Sequence, residues 1–244
     1  MPDTSARHLS TKPIPPDERL IVALDVPSYD DAIALVDALG DSVKFYKVGL
    51  ELFVSGGYHQ LMDELASRNK HVFADLKMFD VPATVSRAVE RMNDKGFEFV
   101  TVHGNDAMLE AVCAVKGSLK VLAVTVLTSL DEADMQALGF RVPISEVVLS
   151  RALRALDIGC DGVISSGIEV PKLRESLGEK FIIVTPGIRP GENKPVDDQK
   201  RTVDIEEAFN SGADYIVVGR AINAASDPKS VAEGIQLRIA DLFR

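Results

Sequence analysis

Cysteine is scarce in this chain: Cys113 and Cys160 are the only two among 244 residues. Two cysteines cannot build a disulfide framework, and neither stands in a metal-ligand spacing. Both read as small buried hydrophobes in a reducing compartment. Basic stripes are missing too. With 27 Lys and Arg against 37 Asp and Glu, the formal net charge is −10. That balance excludes a diffuse nucleic-acid binder, yet leaves room for a small anionic substrate held by a few local cations. No window approaches the roughly 18 apolar residues of a membrane-spanning helix. Residues 1–18 are polar and proline-containing with no apolar core segment, so they read as a flexible N-terminal tail, not a secretory leader. A cytoplasmic protein is the expectation. The chain also lacks Gly-x-Gly-x-x-Gly after its first apolar run, where a dinucleotide-binding open sheet would carry it.

What the chain does contain is regular alternation. Hydrophobic residues make up 46% of it, enough for a sizeable core. Leu20 to Leu24 is a continuous apolar run, the pattern of a strand buried on both faces. Ser28 then caps a segment, Tyr29 to Leu39, with Ile33, Val36 and Leu39 at helical spacing before Gly40. The unit recurs, with further strands expected at 43–48, 71–75, 99–103, 119–127, 162–165, 181–185 and 215–218. Helices are expected between them at 58–67, 83–93, 107–115, 145–156 and 205–210. Eight strand–helix units in one domain, residues 19–244, predict a (β/α)₈ TIM barrel, which typically needs about 250 residues.

Such a barrel works at the carboxyl ends of its strands. Here those ends carry Asp25, Lys47, Asp75 with Lys77, His103, Thr128, Ser165, Thr185 and Gly219-Arg220. Asp75 and Lys77, two apart, would share one face of an extended backbone, and Lys47 can reach the same space. Lysines interleaved with carboxylates keep one another ionised. Arg220 and the Gly219 amide suit the phosphate site that follows strands seven and eight in many barrels. His103 is given no catalytic role, and no His, Asp and Glu group has metal-ligand spacing.

The run Val72-Phe73-Ala74-Asp75-Leu76-Lys77-Met78-Phe79-Asp80-Val81-Pro82-Ala83-Thr84-Val85 closely resembles the signature of orotidine 5′-phosphate decarboxylases. The resemblance extends from Arg19 onward through Leu24-Asp25-Val26, Thr101-Val102-His103, Val126-Leu127-Thr128-Ser129, Pro186-Gly187-Ile188-Arg189-Pro190, Asp198-Gln199 and Val218-Gly219-Arg220. Ala83 and Phe79 stand where many relatives carry Asn and His. The resemblance implies cofactor-free and metal-free conversion of orotidine 5′-phosphate to UMP and carbon dioxide, in pyrimidine biosynthesis. It implies a charged array of Lys47, Asp75, Lys77 and Asp80, with Lys77 protonating C6 and Asp80 supplied by the partner of a homodimer. It adds Gln199 and Arg189 to the phosphate site, Asp25 and a partner's Thr84 at the ribose, and Thr128 at the pyrimidine edge. Residues 186–200 are expected to form a lid. The alternative is a metal-dependent sugar-phosphate decarboxylase, aldolase or epimerase of the same barrel type, using the same Asp75 and Lys77.

Overall fold

A computed structural model of the chain describes residues 8–93, 95–190 and 201–244. Its strands are β1 Leu20–Ala23, β2 Phe45–Val48, β3 His71–Met78, β4 Phe97–His103, β5 Lys120–Val124, β6 Gly162–Ile164, β7 Ile182–Thr185 and β8 Tyr215–Val218. They pair in chain order, all parallel, and β8 returns to β1 to close a barrel. The helices are α1 Tyr29–Leu39, α2 Leu50–Val54, α3 Tyr58–Ser67, α4 Pro82–Met92, α5 Asp106–Cys113, α6 Glu132–Ala137, α7 Ile144–Ile158, α8 Val170–Leu177, α9 Ile205–Asn210, α10 Arg220–Asn223 and α11 Pro228–Leu242. Local chemistry sets several boundaries. Ser28 accepts a hydrogen bond from Asp31 N at 3.1 Å to open α1, and Gly159 closes α7 at φ 108°, a left-handed conformation that suits glycine.

The middles of the strands are apolar because both of their faces are buried. Leu20, Val22, Tyr46, Val48, Ile216 and Val218 face outward into one layer beneath the helices. Ala74, Val100, Val102, Val121, Ala123 and Val163 do the same on the other side. Alternate residues point into the barrel, where Ile21, Phe45, Phe73, Phe99, Leu122 and Tyr215 form a third cluster. Three rings meet Phe99 there, with centroids 5.0 Å (Phe45), 6.0 Å (Phe73) and 5.2 Å (Tyr215) away. Each such side chain contributes roughly 1.5–3 kcal/mol of hydrophobic stabilisation.

From Ser10 onward the expected flexible tail is instead bonded to the barrel floor; residues 1–7 lie outside the described residues. The cause is a fully buried carboxylate that needs partners. Asp214 accepts from Ser10 Oγ at 2.5 Å, Lys12 Nζ at 3.1 Å, Arg174 Nη2 at 2.8 Å and Ile183 N at 2.8 Å. Ile14 packs against the inner cluster.

Two strand ends depart from the simple pattern. β5 stops at Val124, short of the expected 119–127, since Val126 and Leu127 turn their carbonyls to Arg201 Nη2 at 3.1 and 2.9 Å. β3 runs on to Met78 through a bulge. Ala74 pairs with Val100 and Met78 with Val102, which leaves residues 75–77 opposite Thr101 alone.

Candidate active site

On β1 to β4 the inward positions one step above the aromatic layer are polar. Asp25 follows Ala23, Lys47 follows Phe45, Asp75 follows Phe73 and Thr101 follows Phe99, each two residues along its strand or just past its end. Period-two alternation therefore aims all four side chains into the barrel mouth. They sit at or beneath a cavity of about 320 Å³, which Asp25, Lys47, Asp75 and Lys77 line on one side. Thr128, Arg189, Gly219 and Arg220 also line it.

Asp75 is the hub of the charged side. Its Oδ2 accepts from Lys77 Nζ at 2.7 Å and lies 3.5 Å from Lys47 Nζ. Its Oδ1 accepts from the Thr101 hydroxyl at 2.9 Å. Lys47 in turn donates to Asp25 Oδ1 at 3.0 Å. Lys47 and Asp75 are both buried. Burial alone would push the Asp75 pKa up, but the Coulombic pull of Lys47 and Lys77, with hydrogen bonds from Lys77 and Thr101, holds it below the ordinary carboxylate value. Burial likewise opposes the charge on Lys47, and Asp75 and Asp25 outweigh it, so its pKa is raised. Lys47 and Asp75 are the buried part of a preorganised ionic chain whose outer carboxylate, Asp25, is open to solvent.

The bulge gives Lys77 its position. Its φ is 45°, a left-handed conformation unusual for a residue with a Cβ, and its backbone N donates to Thr101 Oγ1 at 3.0 Å. Asp75 and Lys77 thus share the cavity as expected, though not as alternate residues of a regular extended strand.

Just past β8, the neighbour of β1, Arg220 begins α10, and Asn223 Nδ2 ties this helix to the Ala23 carbonyl of β1 at 2.9 Å. Gly187, at φ 77°, turns the chain past the mouth. Asp80 and Thr84 do not line the cavity within one chain; both are exposed, and Asp80 accepts from Val81 N at 2.6 Å. Gln199, and with it the expected lid from 191 to 200, lies outside the described residues. His103 lies beside the site, 6.0 Å from the Phe79 ring; burial, then Arg151 and Lys77, depress its pKa.

Sequence reasoning left two supports unassigned. Thr101 was visible as a polar residue at an inward strand position. Arg201, paired with Glu169 and bonded to the Val126 and Leu127 carbonyls, fixes the segment that leads into Thr128. Nothing local in the sequence marks that contact, because its partners are 75 and 74 residues away.

Comparison with known proteins finds one family. The model of the orotidine 5′-phosphate decarboxylase / HUMPS family matches residues 18–235. Orotidine 5′-phosphate decarboxylase of Methylococcus capsulatus is 57% identical over 235 residues, spanning 96% of this chain and 97% of that protein. The Xanthomonas campestris pv. campestris protein of the same name is 52% identical over 231 residues, spanning 93% and 94%. Among solved structures, orotidine 5′-phosphate decarboxylase from Lactobacillus acidophilus superposes with a TM-score of 0.80 at 37% identity. It covers 91% of this chain and 99% of its own.

Proposed function

The chain belongs to the orotidine 5′-phosphate decarboxylase / HUMPS family, and from that membership we propose that it is the carboxy-lyase that converts orotidine 5′-phosphate to UMP and carbon dioxide. When the bond from C6 to the carboxyl group breaks, its electron pair stays on C6, in an orbital that the ring π system cannot delocalise. Reactions of this difficulty require about 20 kcal/mol or more of transition-state stabilisation. A fixed ammonium facing C6 in a site largely cleared of water supplies much of it, because the dipoles and charges are arranged before the reaction begins. Lys77 is that ammonium, and it then gives its proton to C6. Asp75, kept ionised by its neighbours, orients Lys77 and sets a negative charge beside the departing carboxylate.

The remote phosphate falls to Arg220 and the Gly219 amide, with Arg189 and Gln199, and its binding energy orients the reacting ring. Asp25 addresses the ribose and Thr128 the pyrimidine edge. Asp80 and Thr84 complete the site from a second copy in a homodimer. The apolar residues that flank Asp80 support this reading: Phe79 (73%) and Val81 (61%) are largely exposed in one protomer.

The observation that carries the reaction is the contact of Lys77 Nζ with a buried Asp75 that Lys47 also neutralises, in one cavity with Arg220. The test follows ultraviolet absorbance as purified protein consumes orotidine 5′-phosphate with a chelator present. Turnover should persist, and Lys77→Ala should lower kcat by at least about 10⁴-fold while the fold survives. Chelator-sensitive turnover, or near wild-type turnover by the variant, would overturn the reading.

A further inference from the structure

The two cysteines are 47 residues apart in sequence, yet Cys113 Sγ and Cys160 Sγ lie 3.7 Å apart. Cys113 is the last residue of α5; Cys160 stands between α7 and β6. Both are free thiols, Cys160 buried and Cys113 partly open to solvent. A second contact fixes the same two segments to each other. Lys116, three residues beyond Cys113, donates to Gly159 O at 3.0 Å and to Asp161 Oδ2 at 2.6 Å, bracketing Cys160. Asp161 Oδ2 also accepts from Val121 N at 2.8 Å, and Cys160 N donates to Ala155 O at 2.9 Å. The thiols are therefore held as neighbours by a scaffold that does not depend on them.

We propose that Cys113 and Cys160 form a peroxide-reactive dithiol, in which Cys113 is oxidised first and Cys160 resolves it to an intramolecular disulfide. The Cys113 thiolate attacks one oxygen of hydrogen peroxide; the O–O bond breaks, leaving a Cys113 sulfenic acid and hydroxide, which takes up a proton to become water. Cys160 sulfur then attacks the Cys113 sulfur and the S–O bond breaks. The departing hydroxide takes the Cys160 proton and leaves as a second water. Two thiols are oxidised by two electrons, and one peroxide is reduced to two waters. The sulfurs must close by about 1.6 Å to reach bonding distance, and Cys113 sits at a helix end, where the chain yields most easily.

The division of labour follows from the surroundings. A hydrogen bond with Cys160 lowers the Cys113 pKa, burial opposes that shift, and Lys116 adds to it. That same bond, together with burial, pushes the Cys160 thiol up. Exposure and thiolate character thus favour the same cysteine. Position decides the consequence. The end of α5 and the start of β6 lie at the floor of the barrel, opposite the cavity, so the bond would tie two elements together without touching the charged site.

The experiment exposes native protein to a small excess of hydrogen peroxide, alkylates the remaining thiols after denaturation, and maps the peptides by mass spectrometry. A cross-link between the Cys113 and Cys160 peptides, two hydrogens lighter and reversed by dithiothreitol, is expected. In Cys160→Ser the reaction should stop at a Cys113 sulfenic acid that dimedone captures, and in Cys113→Ser the buried Cys160 should stay reduced. The oxidised wild-type protein should melt about 5–10 °C higher, with turnover unchanged. Disulfide-linked protomers, over-oxidation of Cys113 in place of the internal bond, or two thiols still alkylated after treatment would each overturn the proposal. The wild-type peptide map decides the matter even if neither variant folds.

Discussion

Lysine at position 77 occupies a backbone conformation that costs a residue with a Cβ on the order of 1–2 kcal/mol. It stays there because both of its ends are engaged, the amide by Thr101 and the amine by Asp75. Strain held in this way at a reacting group is a form of preorganisation. Arg220, which lines the same cavity just past β8, is proposed to bind the part of the substrate that does not react. If its role is to convert phosphate binding into orientation, Arg220→Ala should reduce kcat/KM for orotidine 5′-phosphate by about 10²-fold or more. The same change should scarcely alter kcat/KM for a phosphate-free nucleoside analogue. Steady-state kinetics on both substrates check this, and equal losses would remove Arg220 from the phosphate site.

At the scale of the element, the decisive feature is the bulge at the end of β3 and its seat on β4. Thr101→Val keeps the shape of the side chain but deletes both the acceptor for Lys77 N and the donor to Asp75. Losing such buried hydrogen bonds costs about 1–3 kcal/mol, so kcat should fall by roughly 10–100-fold with a smaller change in KM. An unchanged kcat would show that the bulge holds Lys77 without the hydroxyl. The bulge also marks the limit of what the sequence made legible. Eight apolar runs and their strand-end polar residues could be read from periodicity, because burial on both faces leaves a direct trace in composition. Asp75, Lys77, Lys47 and Arg220 followed from position at those ends. The left-handed turn at Lys77 and the reach of Arg201 to Val126 and Leu127 depend on partners distant in sequence and leave no local pattern. The anchoring of residues 10–12 left no trace for a related reason: their polarity suits a buried Asp214 that only the closed barrel creates.

For the whole molecule, the floor sets the acid–base behaviour of stability. His71 Nδ1 lies 2.6 Å from Glu98, which also pairs with Lys120 at 2.9 Å. The bond to Glu98 raises the His71 pKa despite burial. Its stabilisation is therefore complete below the unfolded value, about 6.5, and is lost as pH rises through the folded value. Burial disfavours the Glu98 charge, but His71 and Lys120 bring its pKa down to about 2, so its contribution is lost only as the pH falls toward that value. His71→Asn should hence lower Tm more at mildly acidic than at alkaline pH, by an amount worth under about 1 kcal/mol for so solvated a pair. A Tm gap that widened towards alkaline pH would contradict the assignment. Assembly offers a separate check. In the proposed homodimer, Lys77→Ala and Asp80→Ala, each expected to be inactive alone, should regain roughly a quarter of wild-type activity when subunits are exchanged, because half of the dimers would be mixed and each would rebuild one intact site. No recovery would mean that each protomer supplies its own Asp80. Finally, the plate of Phe45, Phe73, Phe99 and Tyr215, underlain by Ile14, seals the barrel from below. Among the described residues, this leaves the mouth lined by Lys77 and Arg220 as the way out for carbon dioxide and UMP. Carbon dioxide, the smaller product, is then expected to leave first, and UMP should compete with incoming substrate.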